Sequence, residues 1–404
     1  MSWVYYMILS FGHLVIDLTP GALLIIMTYM KRIMSLNFTQ TTLIFLTVEL
    51  TSSFFQPIFG MMIDKKKIHW LLPVAVSLTI CSISLVGFII NYYLLLFVIF
   101  IAGIGLAAFH PQASKDTYLL SKGKRQASAM SIFSIGGTAG MGIAPVLVAW
   151  FFSIAGEKGT LFFLIPGILI VLVLAFSISK IKAMTDESEE TNKVRENISC
   201  PNTQNTKKSL LFLLAFVILR SWIHVGILNF IPLYYIDYLG ESASYGSNLL
   251  TLFLVSGGMG MLVAGPLADR FGLKKVLLLS MLLCIPFTYL VFNTSGYWGF
   301  VFSILDGMAV VSTFGITVVY AQRILFNRIG LASALMLGVG SGLGAFGATI
   351  LGGIADLWNI FYSIRMISIL PVIGLALVLF LPEVSNVGID PELKAKGIIS
   401  RQGI

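Results

Sequence analysis

Charge is scarce in this sequence. Asp, Glu, Lys and Arg make up 11% of its 404 residues, while 57% are hydrophobic. Soluble domains carry about 25% charged residues, so a water-soluble globular fold is excluded and an integral membrane protein is implied. Cysteine is scarcer still, with only Cys81, Cys200 and Cys284. Their isolated positions argue against a disulfide framework and against a bound metal. Four histidines occur, none in a His-Glu-x-x-His pattern. Gly-x-Ser-x-Gly and paired-cysteine motifs are also missing, so no catalytic residues are assigned and an enzyme is not expected. The opening "MSWVYYMILSFGH" lacks a basic n-region and a small-residue cleavage site, and reads as the start of a spanning helix. Acidic residues number 18 against 26 basic ones, a net charge of +8. The positions of the basic residues assign that excess to membrane topology, and no nucleic-acid partner is expected.

Long apolar runs are abundant. A spanning helix needs roughly 20 apolar residues, and the sequence supplies about twelve such stretches: 4–30, 39–63, 68–90, 93–119, 126–154, 159–180, 209–236, 244–267, 273–293, 297–322, 330–354 and 359–381. Their length and the lack of period-2 alternation predict helices, not a barrel. The longest polar segment runs from Lys180 to Lys208. It predicts a six-helix bundle over 1–180, a linker over 181–208, a second six-helix bundle over 209–382 and a tail over 383–404. Of the 26 Lys and Arg residues, 21 fall on the side holding the even-numbered loops, the linker and the tail. Only Lys31, Arg32 and Lys158 fall on the other side, and Arg220 and Arg365 lie within spans. This bias predicts cytoplasmic termini and a cytoplasmic linker in the cell membrane.

The two halves match at a constant offset of 205 residues. Gly60 and Asp64 fall on Gly265 and Asp269, Tyr92 on Tyr297, Phe109 on Phe314, and Ala127-Ser128-Ala129 on Ala332-Ser333-Ala334. Repeated halves mark many secondary transporters, with the substrate site near the midplane where the repeats meet. "GPLADRFGLKK" (Gly265 to Lys275) resembles the G-x-x-x-D-R-x-G-x-[RK] loop signature of the major facilitator superfamily, and "GMMIDKKK" (Gly60 to Lys67) is its weaker partner. Gly60 and Gly265 allow two helices to approach closely. Asp64 and Asp269 can accept hydrogen bonds from a neighbouring helix N-terminus and pair with a cation. Together with Arg270 and Gly272 they are expected to gate a two-state equilibrium. Span five, "SIFSIGGTAGMGIAPVLVAW", is rich in small residues. It suits close helix packing and loosely resembles the Gly/Pro motif of major-facilitator antiporters.

The remaining candidates are ionisable groups inside spans. His13 and Asp17 form an i, i+4 pair in span one, and Arg220 and His224 another in span seven. Glu49 lies in span two, His110 in span four, Asp306 in span ten and Arg365 in span twelve. A charge at a helix centre costs about 2.5–3.5 kcal/mol on insertion scales, so such groups are expected to line a wet cavity. Asp17, Glu49 and Asp306 are the candidate proton carriers. His13, His110, Gln112, Arg220 and His224 are the candidate substrate contacts, with the cations suited to an anion. The stretch "FHPQASK" (Phe109 to Lys115) is expected to break the helical ladder at Pro111. Its His110, Gln112 and Ser114 side chains would then line a water-filled path, and Lys115 would snorkel to the interface.

"FGHLVIDLTPGAL" (Phe11 to Leu23), "ELTSSFFQPIFGMMIDK" (Glu49 to Lys65), "FHPQASK" and "VYAQRILFNRIGLASAL" (Val319 to Leu335) together resemble the fosmidomycin-resistance branch of the major facilitator superfamily. The resemblance implies a twelve-helix, all-α drug exporter driven by proton antiport, with antibiotic resistance as its outcome. That family often has Asn-Asp where this chain has Ile16-Asp17, Glu where it has Gln112, and Gln where it has Glu49. The implied partners are a small, anionic or amphiphilic molecule, protons and the lipid bilayer, for a monomer without a cofactor that draws on the proton gradient. An uptake symporter or exchanger on the same fold is the alternative, and a non-transporting sensor or membrane enzyme a further one.

Overall fold

The computed structural model describes residues 2–121, 125–198 and 206–384. Fourteen α-helices are formed among these residues: α1 (Ser2–Ile33), α2 (Phe38–Lys65), α3 (Leu71–Leu85), α4 (Tyr92–Leu120), α5 (Gln126–Ala155), α6 (Leu164–Ile198), α7 (Thr206–Pro232), α8 (Ala243–Phe271), α9 (Leu273–Val291), α10 (Gly296–Val311), α11 (Phe314–Ile324), α12 (Ile329–Ala334), α13 (Gly340–Leu357) and α14 (Ile360–Leu379). Helix is the outcome that apolar surroundings dictate, because it satisfies every backbone donor and acceptor within one segment. Among the described residues eleven continuous stretches are long and apolar enough to cross a membrane, and one of them, Gln126–Thr191, doubles back between α5 and α6. The chain therefore makes twelve crossings. Span ten is α10 with α11, and span eleven is α12 with α13. Helix α6 continues to Ile198, through the first part of the segment read as a linker. Residues 199–205 and the tail beyond 384 lie outside the described residues, as do Lys122, Lys124 and Cys200.

Local sequence sets where the helices begin and turn. Asn37 caps α2: its side chain accepts from the Gln40 N–H at 2.8 Å while the Gln40 side chain accepts from the Asn37 N–H at 3.0 Å. Asn91 and Ser242 cap α4 and α8 in the simpler way. Gly272, at φ +103°, turns α8 straight into α9, a conformation that a side chain would strain.

Pairing within each half follows the internal repeat. Helix α1 packs on α5 as α7 packs on α13, and α2 packs on α4 as α8 packs on α10. The small residues of span five serve the first of these seams. An added Cβ at Gly136 would sit 2.2 Å from the Ser10 carbonyl oxygen, and one at Gly140 2.2 Å from that of Leu14. Van der Waals contact is what drives helix association in lipid, so these glycines let α1 lie directly on the α5 backbone. The halves meet through α5 against α8 and α11, and through α12 against α2 and α4.

Replacing Gly136 with Ala is expected to overpack this seam and lower stability by about 1–3 kcal/mol. Thermal unfolding in detergent checks it: the midpoint should fall for Gly136→Ala and hold for Gly142→Ala, whose new Cβ would meet nothing within 4 Å.

Candidate functional site

In the N-terminal half, α1 and α4 bring His13, Asp17 and His110 together. Asp17 lies one turn beyond His13 on the same face of α1, and their Oδ2 and Nε2 atoms are 3.2 Å apart. His110 Nε2 lies 3.0 Å from the other carboxylate oxygen, Oδ1. All three residues keep under a tenth of their surface exposed. The His13 ring stacks on Phe133 with centroids 4.1 Å apart, and its Nδ1 lies 2.7 Å from the Phe133 carbonyl oxygen. Gly137 forms the floor, since a Cβ there would lie 2.5 Å from His13 Nε2 and 2.6 Å from Asp17 Oδ2.

A carbonyl oxygen only accepts, so His13 Nδ1 carries hydrogen and donates to Phe133. The opposite nitrogen, Nε2, then faces an Asp17 carboxylate oxygen. His110 Nε2 faces the other, and its Nδ1 is buried without a hydrogen-bond partner among the described residues. Glu49, half-buried on α2, is close enough to Asp17 for the two charges to interact.

The C-terminal half carries a cation in place of an acid. Arg220 on α7 is 3% exposed, and its guanidinium carbon lies 3.7 Å from the centre of the Phe314 ring. Its Nε and Nη1 find no hydrogen-bond partner among the described residues. His224, one turn further, sits 5.3 Å from Phe314 and 5.9 Å from Phe253 by ring centroid. Phe314 is the repeat equivalent of Phe109, which packs against His13 and His110. The two polar pairs thus lie beside repeat-related phenylalanines, although Arg220 and His224 themselves fall on Val15 and Thr19.

Other expected site residues stand elsewhere. Asp306 is fully buried between α10 and α9, accepting from the Thr288 hydroxyl at 2.8 Å. It does not join the His13 cluster. Arg365 is exposed and stacks on Phe361 and Tyr289. Helix α4 runs unbroken through Pro111, which corrects the expected break: one missing N–H leaves the remaining ladder intact. Gln112 and Ser114 do not line water. Gln112 donates to Asp116 at 2.9 Å, Ser114 is fully buried, and both face protein. Lys115 does not snorkel either. It is buried, donates to the Ile63 carbonyl at 3.2 Å, and pairs with Glu189 at 2.8 Å and Asp64 at 3.6 Å.

At the basic end the signature aspartates bridge the halves. Asp64 accepts from the N–H groups of Gly330 and Leu331 at 2.8 and 2.9 Å. Asp269 accepts from those of Ala127 and Ser128, both at 2.9 Å. In each case these are the second and third residues of a helix of the opposite half, where donors lack partners and a negative charge stabilises the helix dipole. Gly60 and Gly265 make the approach possible. A Cβ at Gly60 would lie 2.7 Å from the Gly330 carbonyl oxygen, and one at Gly265 2.9 Å from Ser128 Cα. Arg270 is exposed and lies over Phe271. Gly272 serves the α8–α9 turn.

The family model of the major facilitator superfamily matches residues 9–247 and 210–401. The chain belongs to the major facilitator superfamily. Two relatives align over 378 residues at 30% identity. One is the fosmidomycin resistance protein of Escherichia coli K12, covering 93% of this chain and 92% of the relative. The other is the uncharacterized MFS-type transporter YfnC of Bacillus subtilis 168, covering 92% of each. Solved major facilitator structures share the fold. The E. coli fucose:proton symporter FucP superposes with a TM-score of 0.70 at 14% identity, over 95% of this chain and all of that one. The proton:xylose symporter XylE gives 0.70 at 12% identity, over 98% and 99%. At such identities only the fold transfers. This major facilitator protein is thus a multi-pass membrane protein with two six-helix bundles.

Sequence reasoning missed several members of these sites. The floor at Gly137 and the Phe133 carbonyl carry no signal beyond a run of small residues. Glu189 and Asp186 sit in the segment read as a solvated linker, yet Asp186 pairs with Lys67 at 2.6 Å and Glu189 with Lys115. His69, in the turn before α3, contacts Asp116 at 3.3 Å. Burial opposes the charged imidazole of His69, but the Asp116 carboxylate outweighs it and raises its pKa above the ordinary value. A raised histidine contributes stability that is fully present below the unfolded pKa of about 6.5 and is lost as pH rises through the folded value. Thermal unfolding between pH 6 and pH 9 should therefore show a falling midpoint in the native protein, with that slope reduced in His69→Gln.

Proposed function

We propose that the chain is a proton-coupled exporter of a small anionic or amphiphilic molecule, working by alternating access in the cell membrane. The observation that carries this reading is the buried Asp17 carboxylate set between His13 and His110, at 3.2 and 3.0 Å. A transporter needs such a site, because uptake and release of one proton changes the charge of the buried cluster and so its preference between states. The second support is Arg220, a buried guanidinium with donors to spare, suited to an anionic group. The third is the similarity to a fosmidomycin resistance protein, which favours export and a resistance phenotype.

The end bearing Asp64 and Asp269 is cytoplasmic in this reading, with both termini on that side, because 21 of the 26 Lys and Arg residues fall in the loops, linker and tail that the sequence assigns to it. On that orientation the structure has its cytoplasmic side closed by Asp64 and Asp269. The cycle follows from charge. A proton enters the cluster from outside, the substrate leaves Arg220 outward, and opening of the cytoplasmic side releases the proton and admits the next substrate. The proton gradient is the energy source and no cofactor is involved. An importer on the same fold would run these steps in the opposite sense.

Reconstitution into vesicles checks the assignment. Asp17→Asn and Glu49→Gln keep most of the shape and remove an ionisable proton, and at least one should abolish substrate accumulation driven by a pH gradient while ligand binding persists. Accumulation that survives in both variants moves the coupling site elsewhere, and accumulation in the inward sense assigns an importer. Arg220→Gln should weaken binding of an anionic substrate by about ten- to a hundredfold, measured by direct titration on the purified protein.

A further inference from the structure

The cytoplasmic seam contains a second, uncharged link between the halves. Ser114 on α4 donates from Oγ to Ser333 Oγ on α12 at 3.1 Å. Gln322 on α11 donates from Nε2 to Ser333 Oγ at 2.8 Å, to Ser114 Oγ at 3.1 Å and towards the Ser114 carbonyl at 3.4 Å. Ser333 passes its own hydrogen to the Ile329 carbonyl at 2.8 Å. All three side chains are fully buried, and Gln322 Oε1 is left without a partner.

This triad breaks the internal repeat. The repeat equivalent of Ser333 is Ser128, whose hydroxyl donates to Asp269. The positions equivalent to Ser114 and Gln322 are Val319 and Thr117, which cannot rebuild the same triad. One seam therefore has a charged cap supported by a serine, together with a bond from Arg323 to Gln126 at 3.1 Å. The other has the charged cap at Asp64 and, separately, this neutral cluster. Ser114 also lies four residues beyond His110 on the same face of α4, so one helical turn carries both the contact to Asp17 and the contact to the other half.

We propose that Ser114, Gln322 and Ser333 form a latch that ties α4 to the C-terminal half and sets how readily the cytoplasmic side opens. The inference rests on the alternating-access reading above. Opening moves α4 away from α11 and α12. It breaks the bonds made by Ser114 and leaves the Gln322–Ser333 bond, which lies within one half, intact. Water replaces the lost partners in the open state. Neutral groups exchange protein for water at small net cost, whereas charges do not. The latch thus biases the closed state without trapping it.

The test is a spin-label distance measurement between cysteines introduced at the exposed positions Lys66 and Lys275, in a background lacking the native cysteines. Ser114→Ala and Gln322→Leu should each raise the population with separated cytoplasmic ends by about three- to tenfold. The double variant should fall short of the product of the two effects, since both remove the Gln322–Ser114 hydroxyl bond. Thr117→Val is the control. Its hydroxyl is buried on α4 but bonds only to the Ala113 carbonyl of the same helix, so it should lower thermal stability without moving the population ratio. A ratio unchanged in Ser114→Ala and Gln322→Leu, or moved as much by Thr117→Val, overturns the latch. A native protein with one distance at every pH and substrate condition overturns the alternating-access reading and the latch with it.

Discussion

Each half of this protein is closed onto the other by a carboxylate set against a helix N-terminus. The first turn of a helix has donors with no internal acceptor and a partial positive charge. Asp64 supplies both needs to α12, and Asp269 supplies them to α5. The contact is made across the seam, so it exists only while the halves are together. Much else in the basic end is arranged around it. Gly60 and Gly265 remove the side chains that would hold the backbones apart, and Lys115, pinned by Glu189, brings a cation to Asp64.

Above this seam the halves differ in chemistry while sharing geometry. Phe109 and Phe314 are repeat-related, and each packs against a polar pair or cluster reached from span one or span seven. One cluster centres on the Asp17 carboxylate, with two histidines against it. The other centres on a guanidinium with unfilled donors. Helix α4 contacts Asp17 through His110 and the other half through Ser114.

The linker and His69 enlarge this picture. The extension of α6 that carries Asp186 and Glu189 is held against Lys67 and Lys115, and His69 is held against Asp116. These contacts surround the turn between α2 and α3.

Much of this architecture was legible in the residues alone. Twelve apolar stretches, the 205-residue offset and the spacing of Gly265, Asp269 and Gly272 specify helices, a repeat and a signature loop, because hydrophobic length, repetition and motif spacing are properties of the chain itself. The pairing of His13 with Asp17 is likewise local, since i and i+4 share a helix face. The third partner was not legible in the same way. That His110 joins Asp17 while Asp306 turns away to Thr288 depends on how α4 and α10 are rotated, which is set by packing against α1 and α9. The break expected at Pro111 failed for a related reason: local propensity reports one lost hydrogen bond, and neighbouring helices hold the remainder. The dry setting of Gln112, Ser114 and Lys115 was decided by the partners that tertiary structure brought to them. Sequence determined which residues had chemistry to offer in a membrane, and only the packed helices decided which of them face each other, because a side chain's partner is fixed by the rotation and approach of a second helix that its own segment does not encode.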